Sequence, residues 1–397
     1  METIKNKVIV WGIDNFNTLA LMRAIGEGDL DLFFLIKGSA GYAAKSKYCK
    51  AYAETTSVED GFAYLQNHFA NEDHKPIIIV SGDDTITFID QNKEAFESKF
   101  IIPGTSRKGD VEKHIDKNTM TQMAEQIGIV CPQSKKVGRD TDIAGTRYPC
   151  LLKPSHEKPG QYNEFKFKIC KNESELKRTL RLVRRDSEFI LQQYIPKKEE
   201  LLIYGARMLD GNTVIAGGLF KDRWSESGAG SHGYITADLP ACVNISAIRE
   251  FLAQIDYYGP FSFEYGLFEN VAYFFEVNLR NDGTGQFFHQ AGANIPLAYV
   301  YSCAGLDYTT VPTRVDNKQM FIDEVFDYEN VLLGRITKKQ WKHDLSKATA
   351  FRFYNPHDPA PYEAVRKGSV KQMVKEIVLK RFRLYVVFVL DKLGLRK

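Results

Sequence analysis

The residues best equipped for chemistry cluster around position 270. Glu276, Asn278 and Arg280 alternate with Val277 and Leu279, and a period of two places the three polar side chains on one face of a strand. The stretch ending at Phe268 reads as the partner strand of a hairpin. A three-residue loop, Glu269-Asn270-Val271, would set Phe268 opposite Ala272 and bring Glu264 directly opposite Glu276. Like charges facing each other destabilise a sheet, and the apolar flanks imply partial burial, so a cation between the carboxylates is the simplest relief. Oxygen donors from Glu264, Glu276 and Asn278 suit Mg²⁺, with Mn²⁺ as a substitute, completed by water and nucleotide phosphates. The plainer alternative is a solvated sheet face carrying a Glu–Arg pair.

Other groups could act beside this hairpin. Lys153 closes the apolar run Cys150–Lys153 and precedes the polar loop 154–161, so its ammonium can reach phosphates that the loop covers. The small, polar segment from Trp224 to Gly233 fits either a lid over a reactive intermediate or an ordinary surface loop. Asp83-Asp84 follows the apolar run Ile77–Val80; it could hold the metal of a glycosyltransferase or cap a helix. His232 and His289 could serve as bases or be structural. Phe287, Phe288 and Asn294 lie just beyond the hairpin, where substrate groups could sit. The sequence offers no Ser-His-Asp or Cys-His signature for covalent catalysis.

The pattern Phe263-Glu264 … Phe275-Glu276-Val277-Asn278-Leu279-Arg280 resembles the metal-binding hairpin of ATP-grasp enzymes, in which a Glu is followed at a distance by Glu-x-Asn-x-Arg. Three further stretches occur in the order of that superfamily: Asp116-Lys117 before Gly128–Pro132, then Tyr148–Pro154, then Ile190–Pro196. Ser81–Asp90 and the 113–132 stretch look most like carboxylate–amine ligases related to D-aspartate ligase. The resemblance implies ATP with Mg²⁺, a small carboxylate and a small amine as substrates, and an amide formed through an acyl phosphate. It implies Glu264, Glu276 and Asn278 as metal ligands, Arg280 as the group stabilising negative charge, and Lys117 and Lys153 on nucleotide phosphate. Lys168, on the strand after the loop, and Lys221 are further phosphate candidates. Gln193-Tyr194-Ile195 resembles the hinge whose backbone reads adenine, although many relatives carry Glu at the Gln193 position. Glu200 matches the ribose-binding acid, with Glu199 its chemical rival. A silent nucleotide-binding module and a metal-dependent glycosyltransferase are the alternatives from other classes.

The elements that must hold these groups follow from pattern. Val8–Trp11 with Gly12 and the helical spacing of Leu19, Met22 and Ile25 opens a doubly wound parallel α/β domain, continued by runs at 31–36, 77–80 and 100–102. The Gly12 turn lacks a full G-x-G-x-x-G, which leaves a dinucleotide site there weakly supported. Asp116 can cap a helix ending at Gly128, and Asn172 with Glu175 another. The expected architecture is an α/β domain over 1–112, an ATP-grasp fold of two α+β subdomains over 113–315, and an extension over 316–397 that includes a basic helix.

Composition limits the rest. The 397 residues are 44% hydrophobic and 26% charged with net charge +3, a globular balance that excludes a nucleic-acid coat and a low-complexity chain. Six scattered cysteines without a C-x-x-C pair point to a reducing compartment, the cytoplasm. No secretion signal is visible, and the longest apolar run, Leu384–Leu390, is too short to span a bilayer. From Arg366 onward ten basic residues face two acidic ones, while the preceding 365 residues carry net charge −5. Val370, Met373, Val374, Ile377 and Val378 follow helical spacing. Two roles are open to such a helix: peripheral contact with an anionic membrane, or docking on the body or on a second copy in a homodimer.

Overall fold

Short β-branched and aromatic runs punctuated by glycine build the first layer. In the computed structural model, which describes residues 4–155, 167–183, 188–225 and 228–366, β1 (Val8–Gly12), β2 (Leu32–Lys37), β3 (Ala51–Thr55) and β4 (Ile77–Val80) form an all-parallel sheet in the order β3-β2-β1-β4. All of β1 and β4 is buried, as the central strands of a sheet covered on both faces must be. The stretch 100–102 adds only a bridge, Ile77 to Ile101, because the chain turns away after one pair. Strand order reverses between β1 and β4, which opens a crevice at their carboxyl ends. Gly12 leaves room there for the Ser81 hydroxyl of the neighbouring strand, whose Oγ would lie 2.0 Å from a Cβ at position 12.

The chain then enters two further sheets. The short β5 (Gly104–Thr105) pairs with Tyr257–Tyr258 of a later strand. Asp116 caps the helix Lys117–Gln126 by accepting from the Asn118 and Thr119 N–H groups, as its position demands. β6 (Ser134–Val137), β7 (Cys150–Pro154), β8 (Lys168–Cys170) and β9 (Phe189–Gln193) make a small antiparallel sheet, β6-β9-β7-β8. One face packs on the helix Glu173–Leu182, whose Asn172 cap accepts from Glu175 N–H. β10 (Glu199–Arg207), β11 (Thr213–Trp224), β12 (Gly230–Thr236), β13 (Tyr257–Phe268), β14 (Val271–Asn278), β15 (Gln319–Ile322) and β16 (Ala350–Phe351) form the central sheet in the order β14-β13-β10-β11-β12-β15-β16.

The segment from 316 differs from a separate extension. β15 and β16 are strands of the central sheet, and buried ion pairs fasten the chain after them. Arg23, wholly buried on the helix Phe16–Gly26, binds Asp358 at 2.9 Å, and Arg352 binds Asp323. Two apolar clusters each run continuously from the parallel sheet into the central sheet, whereas the small sheet has a core of its own. The basic tail expected as a helix lies at 367–397, outside the described residues.

Candidate active site

The hairpin reaches the expected opposition by another route. Its loop has two residues, Glu269 and Asn270, both at positive φ (49° and 59°), so Phe268 pairs with Val271. That is the two-residue hairpin turn whose twist suits its strands. Taken alone it would shift every later pair by one. A bulge restores the count: Tyr265 pairs with Phe274 but Glu264 with Glu276, leaving Phe275 as the extra residue. Gly266 makes room for it, since a Cβ there would lie 2.3 Å from the Phe275 ring, and Lys197 sits 4.8 Å over the same ring.

Glu264 and Glu276 therefore face each other, with Asn278 opposite Ser262 on the same side. Asn278 donates to Ser262 Oγ at 3.0 Å, and Ser262 in turn donates to Asp282 at 3.2 Å. Lys221 donates to Glu264 at 2.8 Å and stands 3.6 Å from Glu200. Burial pushes the Glu264 carboxyl up to about 7; Glu276 and Asp282 push the same way, and Lys221 opposes them. Burial works against a charged Lys221, but Glu264 and Glu200 outweigh it and hold the ammonium protonated. For Glu200 burial is likewise outweighed, here by Lys221 and Lys197, and its carboxyl sits below the usual range. Glu200 also accepts from Trp224 Nε1 at 3.0 Å. By register it shares the sheet face of Glu264, and its rival Glu199 is turned to the other face.

The lysines divide. Burial lowers the Lys153 ammonium to about 8, helped by repulsion from Lys117 and resisted by Glu276. The helix start at Lys117, the end of β7 and the hairpin thus converge on one polar space. Lys168 does not join them: it pairs with Leu152, so its Cβ leaves the sheet face opposite to that of Lys153. Strand parity corrects that expectation. Gln193 ends β9 with its N–H donated to Gln133 C=O at 2.8 Å, and the Ile195 C=O accepts from Lys197 N–H at 2.8 Å. These two hinge groups are committed to the fold, which narrows the backbone groups that could read adenine; Tyr194 between them is half-buried.

Arg280 is held from the parallel domain. Its Nε and Nη2 meet Asp83 at 2.7 and 3.1 Å, and Nη2 also donates to Asn278 at 3.2 Å. Asp83 is not a helix cap; Gly82 occupies that position, and Asp83 begins the helix Asp83–Gln91. Its neighbour Asp84 pairs with Lys37, so the two acids serve different cations and do not form a joint metal site. Phe287 and Phe288 are fully buried in the core, and the Asn294 amide caps the helix Ile295–Cys303 and donates to Ala24 C=O. All three are structural, because the chain folds back into the core directly after the hairpin. His232 pairs with Asp222 and His289 with Glu27, each at 2.7–2.8 Å. Of the segment 224–233, Glu226 and Ser227 lie outside the described residues, as do residues 156–161 of the loop after Lys153.

The pattern of single residues missed Asp282, which accepts from Thr284 N–H and Oγ at 2.8 and 2.7 Å. Although burial would raise it, Arg280 and these bonds keep its carboxyl low. It also missed the joint to the parallel domain, where Asn17 donates to the Ser81 and Asn281 carbonyls at 2.9 and 2.8 Å and Tyr204 donates to Asn281 at 2.5 Å. The run Asn281-Asp282 after Arg280 was the available signal.

Among the described residues no group of three or more His, Cys, Asp or Glu stands as a metal site. The donor set that fits a hard dication is two opposed carboxylates and one amide oxygen, Glu264 facing Glu276 with Asn278 beside them.

No protein-family model matches the chain, and no curated protein matches it. Solved structures do. L-amino acid ligase from Bacillus licheniformis aligns with TM-score 0.62 over 79% of this chain and 79% of its own, at 14% identity. N5-carboxyaminoimidazole synthetase from Staphylococcus aureus gives TM-score 0.65 over 85% and 88%, at 13% identity. Carboxyaminoimidazole ribonucleotide synthase from Aspergillus clavatus, complexed with ATP, gives 0.60 over 81% and 82%, at 12% identity. The chain has the ATP-grasp fold. Within that fold the parallel sheet comes first in the chain and the small and central sheets follow it.

Proposed function

We propose that the chain is an ATP-dependent carboxylate–amine ligase. The observation that carries this reading is the placement of Glu264, Glu276 and Asn278 on one sheet face, with Arg280 just past the strand donating to Asn278 and Lys153 and Lys117 brought to the same space. The complexes of similarly folded proteins with ADP or ATP support the nucleotide. A substrate carboxylate takes the γ-phosphoryl group of ATP, giving ADP and an acyl phosphate. An amine then displaces phosphate, leaving the amide and losing a proton. Mg²⁺ bound by Glu264, Glu276 and Asn278 would supply neutralisation of phosphate charge.

The chain's own groups do the rest. Lys153 and Lys117 repel each other, so a polyphosphate between them is attracted by both. Lys221 stays protonated between Glu200 and Glu264 and holds their positions. Gln193–Ile195 flanks the base, and Glu200 faces the ribose. Arg280, oriented by Asp83 along its Nε–Nη2 edge, places a positive charge near the negative charge that develops on the transferring phosphoryl or the tetrahedral acyl centre. We place nucleotide and chemistry in residues 113–315, in the cytoplasm, with amino acids as the substrate class suggested by the resemblance to D-aspartate ligase relatives.

A screen of amino acids and small carboxylates in pairs tests this. The expected result is phosphate release that requires ATP, Mg²⁺ and both partners, with a new amide by mass spectrometry. Nucleotide binding without product across the screen would favour a silent module. Transfer from a nucleotide sugar would favour the glycosyltransferase, which the separate pairing of Asp83 and Asp84 already counts against.

A further inference from the structure

A cavity of 1110 Å³ lies outside the carboxylate hairpin, where the end of the helix Phe16–Gly26, the chain after it, and the segments around 289–312 and 349–357 meet. Its walls include Leu297, Tyr301, Val311, Phe351 and Tyr354. Its acidic groups are Glu27, Asp29 and Asp307, all exposed; Glu27 also pairs with His289 at 2.8 Å. Pockets for small molecules run to about 300–1,000 Å³, so this one has room for a stretch of polypeptide.

The chain itself leads to it. Val365 is 4% exposed and packs in the same core cluster as Leu297 and Val311. Tyr362 meets Tyr354 of the cavity wall edge-on, with ring centroids 5.6 Å apart. The described residues stop at Arg366, directly after Val365, and 31 residues follow in the sequence. Their sequence is complementary to the cavity. From Arg366 onward ten basic residues face two acidic ones, and Val370, Met373, Val374, Ile377 and Val378 recur at a spacing that makes one apolar stripe. The cavity offers the reverse: an apolar and aromatic interior beside carboxylates.

We propose that the start of the segment 367–397 docks in this cavity of its own chain, the apolar stripe Val370–Val378 against Tyr301, Phe351 and Tyr354 and Lys371, Lys375 and Lys380 against Glu27, Asp29 and Asp307. Docking of this kind withdraws the basic tail from other anionic surfaces. It is independent of the ligase reading, since neither the cavity nor the tail belongs to the hairpin site.

The test uses the full chain. Carbodiimide, which joins touching carboxylates and amines, should link Lys371, Lys375 or Lys380 to Glu27, Asp29 or Asp307 within the monomer, identified by peptide mass spectrometry. In hydrogen–deuterium exchange the tail amides should be protected in the wild type. The double variant Asp29→Asn, Asp307→Asn should exchange them at least about threefold faster with the sheets unchanged. Asn suits both places: position 29 has φ 51° and position 307 caps a short turn by accepting from Thr309 N–H, both of which Asn does as readily as Asp. Three results overturn the proposal: links found only in a covalent dimer, which would mean a second copy; tail amides exchanging at the unprotected rate; or protection gained only on anionic vesicles, which would mean a membrane surface.

Discussion

Glu264 binds Lys221 and faces Glu276 on a half-buried sheet face, and a single substitution there separates charge from shape. Glu276→Gln keeps the volume and removes one of two opposed anions. We expect Mg²⁺-dependent nucleotide turnover to fall about 100-fold or more while thermal stability holds or rises, because repulsion across the pair is relieved. Unchanged turnover in a steady-state assay would remove Glu276 from the metal set. Lys153 bears on the nucleotide alone. Lys153→Ala should weaken ATP binding about tenfold, or ~1.4 kcal/mol, by calorimetry. An unaltered affinity would show that its ammonium does not reach phosphate.

At the scale of elements the hairpin is set by its turn and by its bulge, and the two can be perturbed separately. Glu269 and Asn270 both carry positive φ, which Asn-Gly adopts with less strain. The double change Glu269→Asn, Asn270→Gly should raise stability by about 1 kcal/mol through relief of left-handed strain, seen as a small upward shift of the melting temperature, with turnover unaltered. Gly266→Val acts on the bulge. Its side chain would collide with Phe275, and expelling that ring favours a bulge-free register that moves Glu276 off Glu264. The expected outcome is loss of nucleotide turnover together with ~1–3 kcal/mol of stability. Full activity in this variant would show that the opposition of the two carboxylates is dispensable.

The whole molecule is closed by its last described segment. Glu324 accepts the backbone N–H groups of Arg352, Phe353 and Tyr354 at 3.0, 2.9 and 2.5 Å. Burial, with Asp323 beside it, pushes its carboxyl up to about 7. An unfolded glutamate has a pKa of about 4.3. Between these values the native state keeps a proton that the unfolded state has released, so this group makes stability fall as pH rises from about 4.3 to 7. Glu324→Gln cannot titrate. Urea midpoints at pH 5 and pH 7.5 should therefore differ less in the variant than in the wild type, by the order of 2 kcal/mol. Equal slopes would mean that Glu324 is ionised in the fold throughout.

Much of the site was readable because it is local. Period two placed Glu276, Asn278 and Arg280 together, and side-chain chemistry at Asp116 and Asn172 marked two helix starts. The opposition of Glu264 and Glu276 was readable for a less secure reason. A loop one residue shorter than expected and a bulge at Phe275 cancel, and only the packing of that ring over Gly266 decides the second. Tertiary structure alone joined Arg280 to Asp83 across 197 positions and set Lys168 on the face away from Lys153. It also took Phe287 and Phe288 into the core and drew β15 and β16 into the central sheet. Periodicity reports which way a side chain leaves its own element. What it meets there depends on elements distant in the chain, whose approach is fixed by buried surface and ion pairs that leave no mark in local spacing.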